Sequence, residues 1–182
     1  MESITENIEI VDKIKYKSTV INNSYSEINP DTKWKEIILD NPLLQNRVTV
    51  NEFELSLILG RGSSESTLNS LRIDGKHFIQ YIQVKKGARV LYPIIYVCES
   101  ITQISVANKH EWVVRQIKKS DYVSRYSNVI NQNSIAKLMG VKAGTISEYR
   151  KQGLFIDPIK GTLFSIDNLV RWILKNSIKS VY

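Results

Sequence analysis

The chain has 182 residues, 42% of them apolar and 24% charged, a composition that excludes wholesale disorder and fits one large or two small globular domains. Its formal net charge of +7 favours a polyanionic partner. One cysteine and two histidines exclude both an intramolecular disulfide and a Cys/His zinc site. Because the sequence also lacks a phosphate-binding glycine motif and a nucleophile motif, we expect no enzymatic activity, no cofactor and no metal.

The longest apolar run, residues 92–98, is too short to span a membrane, and the acidic start does not match a secretory signal. Cys98 ends this run, as is typical of a buried and unreactive thiol. We therefore expect a cytoplasmic protein, bacterial or phage-encoded, that has no membrane partner.

Charge is unevenly distributed along the chain. Residues 1–54 hold six basic and ten acidic side chains, residues 55–108 hold six and three, and residues 109–182 hold thirteen and five. The net charge therefore changes from −4 through +3 to +8. Residues 1–47 predict an N-terminal arm with one short helix, which Asp31 caps and which ends at Asn41-Pro42.

Residues 48–105 predict a helix-turn-helix unit. Asn51 caps a first helix that ends at Gly60, and the segment after it turns the chain. A second helix then runs from Ser64 to Gly75.

A hairpin and a third helix complete this first unit. Two β-prone runs, residues 78–84 and 90–92, flank a basic tip with the sequence Lys85-Lys86-Gly87-Ala88-Arg89. Pro93 then opens a helix over residues 94–101, since its fixed φ suits a first helical turn.

Residues 106–130 predict a linker helix between two units. Its most prominent apolar side chain is Trp112, which we expect to anchor the helix by packing against one of them.

Residues 131–182 repeat the order of the first unit. Asn133 caps a helix over residues 134–139, and a second helix runs from Thr145 to Gln152 with Ile146 and Tyr149 facing the core.

A short hairpin is predicted next, formed by residues 154–156 and 163–165, and Asp167 then starts the last helix. Matching positions in the two units, such as Gly75 and Gly153, are 78 residues apart. This spacing indicates a diverged internal duplication.

Residues 135–154 (IAKLMGVKAGTISEYRKQGL) resemble the winged helix-turn-helix of MerR-like regulators and of phage excisionases of the AlpA type. Residues 164–173 (FSIDNLVRWI) resemble the closing strand and helix of the excisionase type. The first unit shows a weaker version of the same pattern. The resemblance implies an α+β fold, mainly α, with two tandem winged helix-turn-helix domains that carry β-hairpin wings and are joined by a linker helix.

In such a fold the second helix of each unit enters the DNA major groove, and the hairpins hold the backbone. Glu148 is suited to accept a hydrogen bond from a cytosine amino group, and Asn69 is suited to bind adenine. Each residue is also compatible with a helix face that is simply exposed to solvent. The predicted DNA-binding residues are Lys142, Thr145, Ser147, Glu148 and Lys151 on one helix, Ser66, Asn69, Ser70 and Arg72 on the other, and Lys85, Lys86, Arg89, Lys160 and Thr162 on the hairpins.

The resemblance implies a sequence-specific double-stranded DNA-binding protein, either a transcriptional regulator or an excisionase-like recombination factor of a mobile element. Two unlike units predict a long or two-part, non-palindromic site. Three alternatives stay open: a protein that binds a replication origin or packaging site, an adaptor that uses the same folds to bind proteins, and a homodimer on repeated sites. Recombinase, replication or transcription machinery are the protein partners that these roles imply.

Overall fold

A computed structural model describes residues 44–59 and 79–178, which form an α+β fold in which helices predominate. The predicted arm before residue 44, the turn after Gly60 and the helix from Ser64 to Gly75 lie outside the described residues. In chain order the described elements are β1 (Thr49–Asn51), α1 (Glu52–Leu59), β2 (Tyr81–Ile82), β3 (Leu91–Pro93), α2 (Ile94–Thr102), α3 (Lys109–Lys119), β4 (Val129–Asn131), α4 (Gln132–Met139), α5 (Ala143–Lys151), β5 (Leu163–Ser165), α6 (Ile166–Lys175) and β6 (Ser177–Ile178).

The start of α1 confirms the predicted cap. The Asn51 side chain accepts from the Glu54 backbone N–H at 2.9 Å, and the Glu54 carboxylate accepts from the Asn51 N–H at 2.9 Å. This reciprocal pair is a capping box, which satisfies two backbone donors that the first helical turn leaves unpaired.

The first hairpin is present, with a first strand shorter than predicted and a second strand shifted by one residue. β2 and β3 pair antiparallel with Ile82 opposite Leu91, and β1 pairs with the other edge of β3. Pro93 ends β3 and directly precedes α2, as expected of a residue that opens a helix.

Cys98 lies on the buried side of α2 and is fully inaccessible. Burial in apolar surroundings, with a smaller contribution from Glu99, raises the pKa of its thiol to about 12. We expect Cys98 to resist a thiolate-selective reagent such as an aromatic disulfide at about pH 8, and to react once denaturant unfolds the chain. Rapid labelling of the native protein would contradict this placement.

The predicted linker helix is shorter than expected. α3 starts after Asn108, whose side chain accepts from the Glu111 N–H, and it ends at Lys119 because Ser120 adopts an extended conformation. Trp112 is 7% exposed and anchors α3 in the core, as predicted. α3 packs on α2 and α6.

The residue that caps α4 is Asn131, and the prediction of Asn133 was wrong. The Asn131 side chain accepts a hydrogen bond at 2.8 Å from the backbone N–H of Ser134, three residues further along the chain. Asn133 already lies inside the first turn of the helix. The strand β4 ends at Asn131, and its extended conformation is the one that an N-cap residue requires.

We expect Asn131→Ala to lower the free energy of unfolding by about 1 kcal/mol, because it leaves the Ser134 N–H without its acceptor. Asn133→Ala, two residues away and exposed, is the matched control and should change it by less than about 0.5 kcal/mol. Urea denaturation followed by circular dichroism measures both. A larger effect at Asn133 would contradict the cap assignment.

The predicted strand over residues 154–156 is absent, and β5 pairs instead with β4, with Ile130 opposite Phe164. Residue Phe155 of this segment packs in the core instead. Its ring lies edge-on to the ring of Trp172, with the ring centroids 4.7 Å apart. The last helix begins at Ile166, one residue before the predicted start at Asp167, and its cap is Ser165. The second hairpin is therefore a loop, residues 157–162, closed by one bridge between Lys160 and Leu163.

The N-terminal and C-terminal parts of the described chain share one apolar core. The Val48 N–H donates to the Leu138 carbonyl at 2.8 Å, and the Thr49 hydroxyl donates to the Met139 carbonyl at 2.8 Å. β6, which follows the last helix, pairs with β2 and becomes the fourth strand of the sheet ordered β1-β3-β2-β6. These contacts fix the first hairpin relative to α4 and α5.

Candidate nucleic-acid interface

α4 and α5 form a helix-turn-helix whose turn is set by Gly140. This glycine has φ of +66°, a left-handed conformation that ends α4 and lets the Val141 N–H return to the Ala136 carbonyl at 3.0 Å. Ile146 and Tyr149 are buried, as their spacing predicts.

The opposite side of α5 faces outward. We call it the α5 ridge, defined by Gly144, Ser147, Glu148 and Lys151. The ridge is exposed except at Ser147, which is half-buried. The sequence-predicted positions Lys142 and Thr145 lie beside it, Lys142 exposed just before the helix and Thr145 half-buried in its first turn.

Two cations at the ends of the α5 ridge are available to a ligand. The side chains of Lys142 and Lys151 make no hydrogen bond or ion pair with any residue in the described part of the chain. Glu148, the only carboxylate on the ridge, accepts from the Gln152 side chain. Because the two lysines outnumber this single carboxylate, the local charge is positive.

One side of the ridge is joined to the second hairpin loop through Gln132. The Gln132 side chain donates to the Ser147 hydroxyl at 2.7 Å and accepts from Arg150 at 3.1 Å. The Gln132 backbone N–H donates to the Thr162 carbonyl at 3.1 Å. Lys160 and Thr162 are both exposed on this loop.

A cleft of about 460 Å³ opens beside this junction. It lies between the start of α4 and Thr162, and all the residues that line it carry polar side chains. The lining residues are Asn131, Gln132, Asn133, Ser134, Lys137 and Thr162.

The other side of the ridge is joined to the first hairpin tip, residues 85–89. Lys85 Nζ donates to the Gln152 side chain at 2.7 Å. The Arg89 guanidinium donates to the Gly140 carbonyl at 3.4 Å. Burial raises the pKa of Tyr149, and the nearby charge of Arg89 partly offsets this shift. Lys86, at the tip, is exposed and makes no hydrogen bond or ion pair with the described residues.

The predicted residues thus fall into four groups, of which three are described by the structure. Five on or beside α5, three on the first hairpin tip and two on the second loop lie around one surface. The four predicted on the second helix of the first unit, Ser66, Asn69, Ser70 and Arg72, lie outside the described residues.

Sequence reasoning missed the side chains that hold this surface together, namely Gln132, Arg150 and Gln152. A signal existed for Gln152, which is four residues after Glu148 and so on the same helix face. Arg150 stacks over the Phe164 ring at 5.4 Å, a contact between distant segments that no local pattern predicts.

No family model matches the chain, and neither a curated protein nor a solved structure matches it. Across residues 44–59 and 79–178, no helix has the length and apolar character needed to cross a membrane. The same ranges contain no cluster of three or more metal-ligating side chains.

Proposed function

We propose that the chain is a sequence-specific double-stranded DNA-binding protein in which α5 enters the major groove. The α5 ridge supports this proposal: a helix-turn-helix presents an exposed polar helix face with two unpaired lysines at its ends. The groove is about 12 Å wide and admits one α-helix. Its edges are phosphate strands, which attract cations placed at the ends of such a helix.

The residues on and beside the α5 ridge divide into two groups by their chemistry. Lys142 and Lys151 are suited to phosphates, whereas Ser147 and Glu148 are placed to contact base edges. Glu148 accepts from a cytosine amino group once it leaves Gln152, and this exchange favours cytosine over bases that offer no donor there. The role that follows is a transcriptional regulator or an excisionase-like recombination factor of a mobile element.

Fluorescence anisotropy tests this function directly. The full chain is titrated against DNA from upstream of its own gene and against a scrambled duplex of equal length, at about 50 and 200 mM salt. We expect tighter binding to the upstream DNA at both concentrations, with overall affinity falling steeply as salt rises. Absence of binding to either duplex at the lower salt would refute the proposal.

A further inference from the structure

The first hairpin tip is attached to α5 although it precedes α5 by more than fifty residues in the chain. Lys85 is bonded to Gln152 at the end of α5, and Arg89 to the carbonyl of Gly140 in the turn before α5. The tip is therefore fixed at both ends of the same helix. Arg89 also lies close enough to Tyr149 for its charge to offset part of the rise in the Tyr149 pKa that burial causes.

The two hairpins flank the α5 ridge on opposite sides. Gln152 faces the first hairpin tip, and Ser147 faces Gln132 and, through it, the second loop. Positions five residues apart are separated by about 140° around an α-helix. Glu148 lies between these two directions and faces outward.

We infer that the first hairpin tip is a second backbone-binding element of the α5 site, so that one uninterrupted duplex is held on both sides of α5. This inference rests on the proposed function. Lys86 is the cation that the tip offers to a phosphate, since Lys85 and Arg89 hold the tip against the protein. The tip then does not serve a separate half-site of its own unit.

The arrangement also fixes the register of the contacts. The tip is hydrogen-bonded to the residues that position α5, so a phosphate bound by Lys86 lies at a constant distance from the base pairs under the ridge. A flexible pair of domains would tolerate extra base pairs between two half-sites. The rigid arrangement of the tip and α5 does not tolerate such extra base pairs.

DNA cleavage by tethered iron chelates tests the inference. Separate variants of the full chain carry one added cysteine at the tip (Lys86→Cys), on the ridge (Gly144→Cys), on the second loop (Thr162→Cys) or on α3 as the control (Lys119→Cys). The native Cys98 is buried and so does not take up the label. The probe is a set of duplexes that the wild-type chain recovers from a random-sequence library.

We expect cuts from positions 86 and 162 on opposite sides of the cuts from position 144, each within about half a helical turn of them, and no cuts from position 119. Cuts from position 86 that are absent, or more than about one turn away, would overturn the inference while leaving the function of α5 intact. If the wild-type chain recovers no duplex, the proposed function itself fails.

A salt titration supplies an independent measurement. On the shortest duplex that retains full affinity, Lys86→Glu should reduce the slope of log affinity against log salt by about 0.9, the value of one phosphate contact. Lys119→Glu should leave the slope unchanged. An unchanged slope for Lys86→Glu, with normal binding by the wild-type chain, would contradict the inference.

Discussion

The double substitution Lys142→Glu with Lys151→Glu is expected to weaken duplex binding by about 100-fold or more. Each lysine loses one phosphate contact, and a tenfold loss per contact corresponds to about 1.4 kcal/mol. The introduced carboxylates add repulsion from the backbone. Two lost contacts should also reduce the dependence of log affinity on log salt by about 2, measured by anisotropy over a range of salt concentrations.

The matched control is Lys118→Glu with Lys119→Glu in the last turn of α3. It changes the formal charge of the protein by the same amount, and Lys119→Glu, like Lys151→Glu, places a glutamate in the last turn of a helix. We expect it to reduce affinity only through the smaller net charge, by less than about tenfold. Circular dichroism confirms that both variants are folded. An equal loss of affinity in the two variants would show that the overall charge, and not the α5 ridge, binds DNA.

Local sequence patterns were sufficient to predict several elements of this fold. Asn51 predicts the start of α1 because its side chain can accept from the backbone N–H three residues later, which is that of Glu54. Ile146 and Tyr149 are likewise three apart, and this spacing correctly assigned them to the buried side of α5. Both patterns depend only on neighbours along one helix.

Pairings between distant segments were not predictable in the same way. Residues 154–156 have the composition of a strand, yet the partner of β5 is β4, about 34 residues earlier in the chain. The apolar side chain of Phe155 is explained by packing against Trp172 and Phe164. A strand and a core loop both require apolar residues, so composition does not distinguish them.

The candidate site likewise contains residues that local patterns predict and contacts between distant segments that they do not. The positions on and beside α5 follow from helical periodicity, whereas the attachment of Lys85 to Gln152 spans 67 positions in the chain. The basic hairpin tip is recognisable in the sequence, where its position assigns it to the first unit. Its placement beside α5 depends on the shared core and on the pairing of β6 with β2, which three-dimensional packing alone reveals.

Replacement of Gly140 by alanine is expected to lower the free energy of unfolding by about 2 to 3 kcal/mol. The positive φ of this residue costs an alanine about 1 to 2 kcal/mol. In addition, a Cβ atom at this position would overlap the guanidinium of Arg47, which donates to both carboxylate oxygens of Glu54 at 2.6 and 2.7 Å. Arg47 would have to leave Glu54, at a further cost of about 1 kcal/mol for a half-buried pair.

Gly153→Ala separates the two contributions. Gly153 has a similar φ of +68°, but no atom lies within 4 Å of the position its Cβ would take, so its replacement carries only the conformational cost. Urea denaturation followed by tryptophan fluorescence compares the two variants, and Gly140→Ala should be the less stable by about 1 kcal/mol. Arg47→Ala should then cost less in the Gly140→Ala background than in the wild type, because the contact with Glu54 is already lost there. Equal destabilisation at Gly140 and Gly153, or independent effects of Arg47 and Gly140, would show that Arg47 does not brace the turn that orients α5.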